Sequence, residues 1–208
     1  RGLTCWECPP NGQGLIALAA LNIVDGFDIR SMGSQSADTY HHLIEAVRLA
    51  LADGLRYIAD PVTTDVPTAR LLSKSYAEER RSLIRREQAL RSVEYGSALA
   101  SHDTVYITCI DGEGNACSFI NSILSEFGAG MVVPGTGIAL HNRASLFSLD
   151  PEHPNALAPR KRPFHTIIPA LATRGGELCL SFGVMGRFQQ AQGHVQVLVN
   201  MVDFGMDP

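Results

Sequence analysis

The stretch Ser101-His102-Asp103-Thr104-Val105 joins a run of small residues to the start of a strand-like segment. If the chain is cut on the amino side of Thr104, that residue gains a free α-amino group. An α-amine has a pKa of about 7.7–8.0, so near neutral pH it is a usable base. It would also be held covalently beside the Thr104 hydroxyl. A threonine activated by its own amine is an established form of nucleophilic catalysis, and its usual target is an amide carbonyl. Thr104 also fits a plainer role, because β-branched residues often open strands. From this pattern alone both roles stay open.

Other chemistries find less support. Gly128-Ala129-Gly130 and Gly135-Thr136-Gly137 lack the lysine and following helix that a phosphate cradle needs. No G-x-S-x-G elbow is present, which argues against a serine hydrolase of that type. Cys5 and Cys8 form a single C-x-x-C, with no second pair and no histidines at ligand spacing, so no metal site is expected. Cys109, Cys117 and Cys179 fall inside expected strands. Five cysteines without a disulfide framework lean toward a reducing compartment, hence the cytoplasm, although no compartment is assigned.

The elements that must position Thr104 can be read from periodicity. Leu15 to Val24 is apolar nearly all round, as in a buried helix, and Gly26 is placed to end it. Asp38 is a candidate cap for a second helix. In that helix Leu43, Ile44, Val47, Leu51, Leu55 and Ile58 recur at helical spacing, and Asp60-Pro61 stops it. A third helix, rich in Glu and Arg, is expected from about Tyr76 to Leu90. Residues 96–101 read as a linker. Thr104–Ile110 and Ala116–Ile123, around Asp111-Gly112-Glu113-Gly114-Asn115, give a β-hairpin signal. Strands are expected near Gly137–Leu140 and His165–Ala172. A second hairpin turns at Arg174-Gly175-Gly176-Glu177, and a last helix runs from about Gln190 to Val202, ended by Gly205. Helices followed by paired strands and a further helix point to an α+β layered fold.

The 208 residues are 45% hydrophobic and 18% charged, with a formal net charge of −4. This is ordinary globular composition with no basic excess, so no nucleic-acid partner is expected. The apolar runs are too short for a membrane-spanning helix of about 20 residues. The first residues carry no signal-peptide pattern and no initiator Met, and both ends read as cut from a longer chain.

Several motifs in fixed order extend this reading. They are Pro9-Pro10-Asn11-Gly12-Gln13-Gly14, Asp25-Gly26-Phe27-Asp28, Tyr57-Ile58-Ala59-Asp60-Pro61 and the run from Leu72 to Tyr76. They continue with Asp103-Thr104, the Asp111–Asn115 turn, Phe127–Gly130, Gly137–Asn142, Lys161-Arg162-Pro163 and Gly183–Gly186. Together they resemble the γ-glutamyltransferase family of N-terminal-nucleophile hydrolases along almost the whole chain. The resemblance implies a partial four-layer αββα sandwich and a precursor that cuts itself between Asp103 and Thr104. Residues 1–103 would then be the C-terminal part of the large subunit, and residues 104–208 the N-terminal part of the small one. It implies transfer of a γ-glutamyl group, from glutathione or a similar amide to water or an amino acid, without metal or organic cofactor. The partners are thus a small-molecule amide and the two subunits of one precursor.

By family position, Thr104 is the nucleophile and the backbone N–H groups of Gly186 and Arg187 form the oxyanion hole. The family has a second glycine where Arg187 stands. Ser122 matches a second threonine held near the nucleophile, with its hydroxyl placed to bond the Thr104 amine. Asn142 lies on the strand lining the substrate cleft. Three departures bear on substrate. Leu146 replaces an aspartate that binds the substrate α-ammonium. Arg143 replaces a neutral glutamine. His165-Thr166 replaces a serine pair that contacts the α-carboxylate. These changes suit an acyl chain ending in a plain carboxylate, such as glutaryl, which some acylases of the family accept. The segment from Phe147 to Arg162, a lid in many relatives, is short here, so an open cleft is expected. A silent scaffold that never cleaves is the remaining reading.

Overall fold

The structure, a computed structural model, describes residues 2–92 and 104–207. Asp103 and the linker at 96–101 lie outside the described residues. The helical part comprises α1 (Gly14–Val24), α2 (Ile29–Met32), α3 (Ala37–Tyr57), α4 (Thr68–Leu71) and α5 (Lys74–Arg81), preceded by a short strand β1 (Thr4–Glu7). Strands β2 (Thr104–Ile110) and β3 (Ala116–Ser122) follow, then a 3-10 turn at Arg143–Leu146, β4 (Ala170–Arg174), β5 (Glu177–Phe182) and α6 (Gln189–Phe204). The α+β layered fold expected from the sequence is what the chain adopts.

α1 is buried on most sides, as its unbroken apolar run requires, and it packs between α3, α5 and α6. Gly54 of α3 lets the two long helices meet, since a Cβ there would sit 2.4 Å from Ile16 Cγ1. α3 buries Leu43, Ala46, Val47, Leu49 and Ala50, whereas Ile44, expected on that face, is exposed. Ser36 caps α3 by accepting from the Thr39 N–H at 3.0 Å. Asp38 therefore sits in the first turn, not at the cap, and pairs there with Arg86.

The expected third helix stops at Arg81 instead of Leu90, and residues 82–90 turn back through an isolated bridge between Arg85 and Gln88. The reason is tertiary. Arg81 donates to the carbonyls of Ile23 and Asn22 at the end of α1, and Arg80 pairs with Asp53 of α3. These bonds anchor the helix end, and helix propensity is too weak to override such contacts.

Both expected hairpins are present. β2 and β3 pair antiparallel from Thr104↔Ser122 to Ile110↔Ala116. Asp111 fixes the turn, its carboxylate accepting from the N–H groups of Glu113 and Asn115, both at 2.9 Å. β4 and β5 pair around Gly175-Gly176, and β1 adds to β4, giving the sheet order β1-β4-β5. The sequence reading missed β1. The strand expected near Gly137–Leu140 is only a bridge between Val132 and Ala139, and the one expected at His165–Ala172 narrows to Ala170–Arg174.

α1 and α6 cover one face of the three-stranded sheet, with Leu198 and Leu21 against Ala170, Ala172 and Phe182. The β2–β3 hairpin lies beside β5. Side-chain alternation turns Tyr106 and Thr108 toward Ser181, while Val105, Ile107 and Phe119 face outward and are exposed. Gly183 packs against the Tyr106 ring, where a Cβ would come within 2.7 Å of Cδ2. The long-range bonds of Arg162 to buried Asp60 tie the second half of the chain to the first.

Candidate active site

Alternation along β2 and β3 puts Thr104 and Ser122 on the same inner face, directly opposite each other. The Thr104 hydroxyl donates to Ser122 Oγ at 3.1 Å. Ser122 Oγ also accepts from the Leu124 N–H at 3.1 Å, which holds Leu124 in a left-handed conformation at φ +77°. Ser122 thus meets the Thr104 side chain, where the sequence placed it against the Thr104 amine.

A small cleft opens on this pair. Thr104, Ser122, Leu124, Arg143, Thr166 and Arg187 all line it. A larger groove lies elsewhere, against Leu3, Leu18, Leu21, Leu198 and Val202, and contains none of the expected site residues. Its size does not make it the reactive centre, since burial and Glu7 hold its one thiol, Cys5, far from a reactive thiolate.

Arg187 enters the cleft from the turn that leads into α6. The carbonyls of Gly186 and Arg187 accept from the N–H groups of Gln189 and Gln190, at 3.0 and 3.2 Å. Because a trans peptide sets C=O and N–H on opposite sides, the Arg187 N–H points away from the helix. It therefore points out along the positive end of the α6 dipole, where a developing oxyanion is favoured. Gly186 takes φ +142° and Arg187 takes φ +53°. Arg187 Nη2 donates to Ser125 Oγ at 3.2 Å.

Arg143 is 5% exposed. Among the described residues its guanidinium meets only neutral oxygens, Thr166 Oγ1 and the Ser122 carbonyl, each at 3.4 Å. Burial and the nearby Arg187 charge push its pKa down. A buried cation without a carboxylate partner is costly, and it marks a place where an anion would be welcome.

The other expected residues take supporting positions. Thr166 is buried and lines the cleft. His165 stands one residue back, half-buried, with its ring against Gly12. Its carbonyl accepts from the Gln13 N–H at 3.0 Å. Burial, then the charges of Arg143 and Arg162, lower its pKa to about 4. Asn142 does not line the cleft. It donates to Ser125 Oγ at 2.8 Å and accepts from the Ser125 N–H at 3.3 Å, so its carboxamide braces the loop after β3. Leu146 packs against the main core. Among the described residues no group of three or more His, Cys, Asp or Glu side chains is placed to hold a metal ion. Burial and Glu7 push the Cys5 thiol up to about 12, far from a reactive thiolate.

Comparison with known proteins bears on this site directly. The family model described as gamma-glutamyltranspeptidase matches residues 1–208. The chain belongs to that family. It is 38% identical over 208 residues to the glutathione hydrolase-like YwrD proenzyme of Bacillus subtilis (strain 168), covering 100% of this chain and 39% of that protein. It is 39% identical over 189 residues to the oxamate amidohydrolase proenzyme of Klebsiella pneumoniae, covering 91% of this chain and 35% of that one. Among solved structures, the cephalosporin acylase from Bacillus halodurans superposes with a TM-score of 0.90 at 52% identity, covering all of this chain and 37% of that one. The chain thus spans about two-fifths of the length of these relatives. Family members are hydrolases and acylases, and those named proenzymes are made as precursors. Among the described residues no helix is long and apolar enough to cross a membrane.

Sequence reasoning missed Gln13 and Gln190, which are 0% and 4% exposed; Gln190 lines the cleft, and Gln13 bonds the Thr166 and Arg187 carbonyls from outside it. Gln13 sits inside the Pro9–Gly14 motif, and Gln190 interrupts the apolar face of α6. A polar side chain at a core position was the available signal.

Proposed function

We propose that the protein containing this chain cuts itself between Asp103 and Thr104 and then hydrolyses amides through a threonyl ester on Thr104. In maturation the Thr104 hydroxyl attacks the Asp103 carbonyl carbon, and the peptide C–N bond breaks as the ester forms. Water then cleaves the ester, leaving a carboxyl on Asp103 and a free amine on Thr104. In turnover the amine takes the hydroxyl proton, Oγ attacks the substrate amide, and the leaving amine departs with a proton. Water releases the acyl group. The observation that carries this reading is the position of Thr104. It opens β2 on the inner face, bonded to Ser122, in one cleft with Arg187.

A γ-glutamyl amide is the substrate class the family name suggests. A specific observation favours a second class, acyl groups that end in a carboxylate and lack the α-ammonium, such as glutaryl. Arg143 offers a buried cation with no carboxylate partner among the described residues, while Leu146 offers no acceptor for an ammonium. The relative named for oxamate acts on an amide that carries a carboxylate, which supports the same leaning.

Intact mass and N-terminal sequencing of the protein, expressed from its complete reading frame, test the nucleophile. A new chain beginning at Thr104 is expected, and Thr104→Ala should stay uncut and inactive. Release of p-nitroaniline from γ-glutamyl and glutaryl anilides then separates the acyl classes. A folded protein that stays uncut after long incubation would leave the silent-scaffold reading in place.

A further inference from the structure

At the floor of the cleft two glutamines from opposite ends of the chain, Gln190 in its lining and Gln13 outside it, grip the same pair of carbonyls. Gln13 Nε2 donates to the Thr166 carbonyl at 2.9 Å and to the Arg187 carbonyl at 2.6 Å. Gln190 Nε2 donates to the same two, at 2.6 and 2.9 Å. A carbonyl oxygen only accepts, so both carboxamides must present their NH2 groups, and each uses both of its protons. Thr166 and Arg187 each line the cleft, from different loops.

The clamp acts on one of the few residues other than glycine held at positive φ. Arg187 is left-handed at φ +53°, a region that favours glycine. A residue with a side chain persists there only when its surroundings over-determine it, and such residues cluster at functional sites. The Gly186 carbonyl is fixed by the Gln189 N–H, on one side of the Arg187 Cα. The Arg187 carbonyl is fixed on the other side by the two glutamines and by the Gln190 N–H. With the peptides on both sides fixed, the direction of the Arg187 N–H is fixed as well. Gln13 is in turn held through its own backbone, whose N–H donates to the His165 carbonyl at 3.0 Å.

We propose that Gln13 and Gln190 are positioning residues that aim the Arg187 N–H at the oxyanion formed on attack by Thr104. This rests on the reading of Thr104 as the nucleophile. It also explains how an arginine stands where the resemblance implies a glycine. Because Gln13 precedes Thr104 and Gln190 follows it, donor alignment depends on both products of the cleavage staying together.

The test uses the protein expressed from its complete reading frame, with glutaryl p-nitroanilide as probe, and follows chain cleavage, kcat and KM. Gln13→Ala and Gln190→Ala are expected to lower kcat about 10- to 100-fold with KM within about twofold, since a misplacement of roughly 1 Å can cost about 10²-fold. Self-cleavage should slow in parallel. Gln13→Glu gives the sharper readout. Its carboxyl keeps one donor only when protonated, and burial against two carbonyl oxygens raises its pKa. The ratio of variant to wild-type kcat should therefore rise as pH falls from 8 to 6. Gln190→Glu reads the same behaviour if Gln13→Glu does not fold. Folded variants with wild-type kcat, or a loss independent of pH, in an enzyme that cuts and turns over normally, would overturn the clamp alone. An uncut, inactive wild type would overturn the Thr104 reading and the clamp with it.

Discussion

Thr104 and Ser122 face each other across the last pair of the β2–β3 ladder, and the hydroxyl of the first donates to that of the second at 3.1 Å. The bond orients Thr104 Oγ1 before any substrate arrives. Ser122→Ala removes it, and a hydrogen bond of this kind contributes about 1 kcal/mol. kcat should fall about 5- to 10-fold. The Leu124 N–H also loses its acceptor, so the unfolding free energy should drop by about 1 kcal/mol in denaturant titration. Ser122→Thr, which keeps the hydroxyl, should retain most of both.

Arg143 ought to show opposite effects on stability and on activity. Its buried guanidinium has no carboxylate partner among the described residues. Replacing a poorly compensated buried charge by an apolar chain is often neutral or stabilising. Arg143→Met is thus expected to raise the melting temperature, or leave it unchanged, while raising KM for glutaryl p-nitroanilide at least about tenfold. Turnover of an uncharged acyl anilide such as butyryl should change little. A drop in melting temperature with unchanged KM would make Arg143 a purely structural residue.

The β2–β3 register could have been counted from the sequence, and the reason is local. A five-residue turn closed by Asp111 sets Ile110 opposite Ala116, and counting back along both strands brings Thr104 opposite Ser122. The buried helices were equally plain, because α1 is apolar on every side and Gly205 gives α6 a left-handed stop at φ +66°. What could not be read were features decided at long range. β1 has only four residues and exists because β4 pairs with it. The end of α5 is set by arginine bonds to α1 and α3, not by its own Glu- and Arg-rich sequence. The 2.6 Å hydrogen bond between Glu7 Oε1 and His194 Nδ1, whose side chains are both fully buried, joins residues at opposite ends of the chain that no spacing rule connects.

The same distinction applies inside the cleft. The motif at 183–186 pointed to Gly186 only through the family resemblance, and only the assembled structure shows that Gln13 and Gln190 hold the Arg187 carbonyl beside it. Asn142 illustrates the converse. Its chain position adjoins the cleft, yet its carboxamide is consumed by Ser125 on both edges.

Packing between α1 and α3 offers a test of the fold that leaves the site untouched. A methyl group on Gly54 would meet Ile16 Cγ1 at 2.4 Å and Ile16 Cδ1 at 2.5 Å. Ile16 is 1% exposed and so cannot swing out into solvent. Gly54→Ala would raise helix propensity, but overpacking of this kind costs about 1–3 kcal/mol and should win. Chemical denaturation is expected to show a lower midpoint with an unchanged slope. A midpoint at or above that of the wild type would mean that the two helices meet less closely than described.

His165 should give the protein an acid limb in its stability. Its pKa is about 4 in the fold, against 6.5 for the free side chain, because burial and then the charges of Arg143 and Arg162 disfavour the imidazolium. The unfolded chain therefore takes up the proton first as pH falls. Above about 6.5 both states hold a neutral ring and the residue adds no pH dependence. Between about 6.5 and 4 the unfolded state binds more protons, so stability drops with falling pH. Below about 4 the folded ring is protonated too, and this contribution to the slope ends. His165→Gln removes the titration and keeps an acceptor for the Ile167 N–H, now bonded to His165 Nδ1 at 3.2 Å. Melting temperatures measured at half-unit steps from pH 7.5 to 4 should fall more steeply for the wild type than for His165→Gln. Parallel curves would mean that the ring titrates normally and that neither its burial nor the two arginines perturb it.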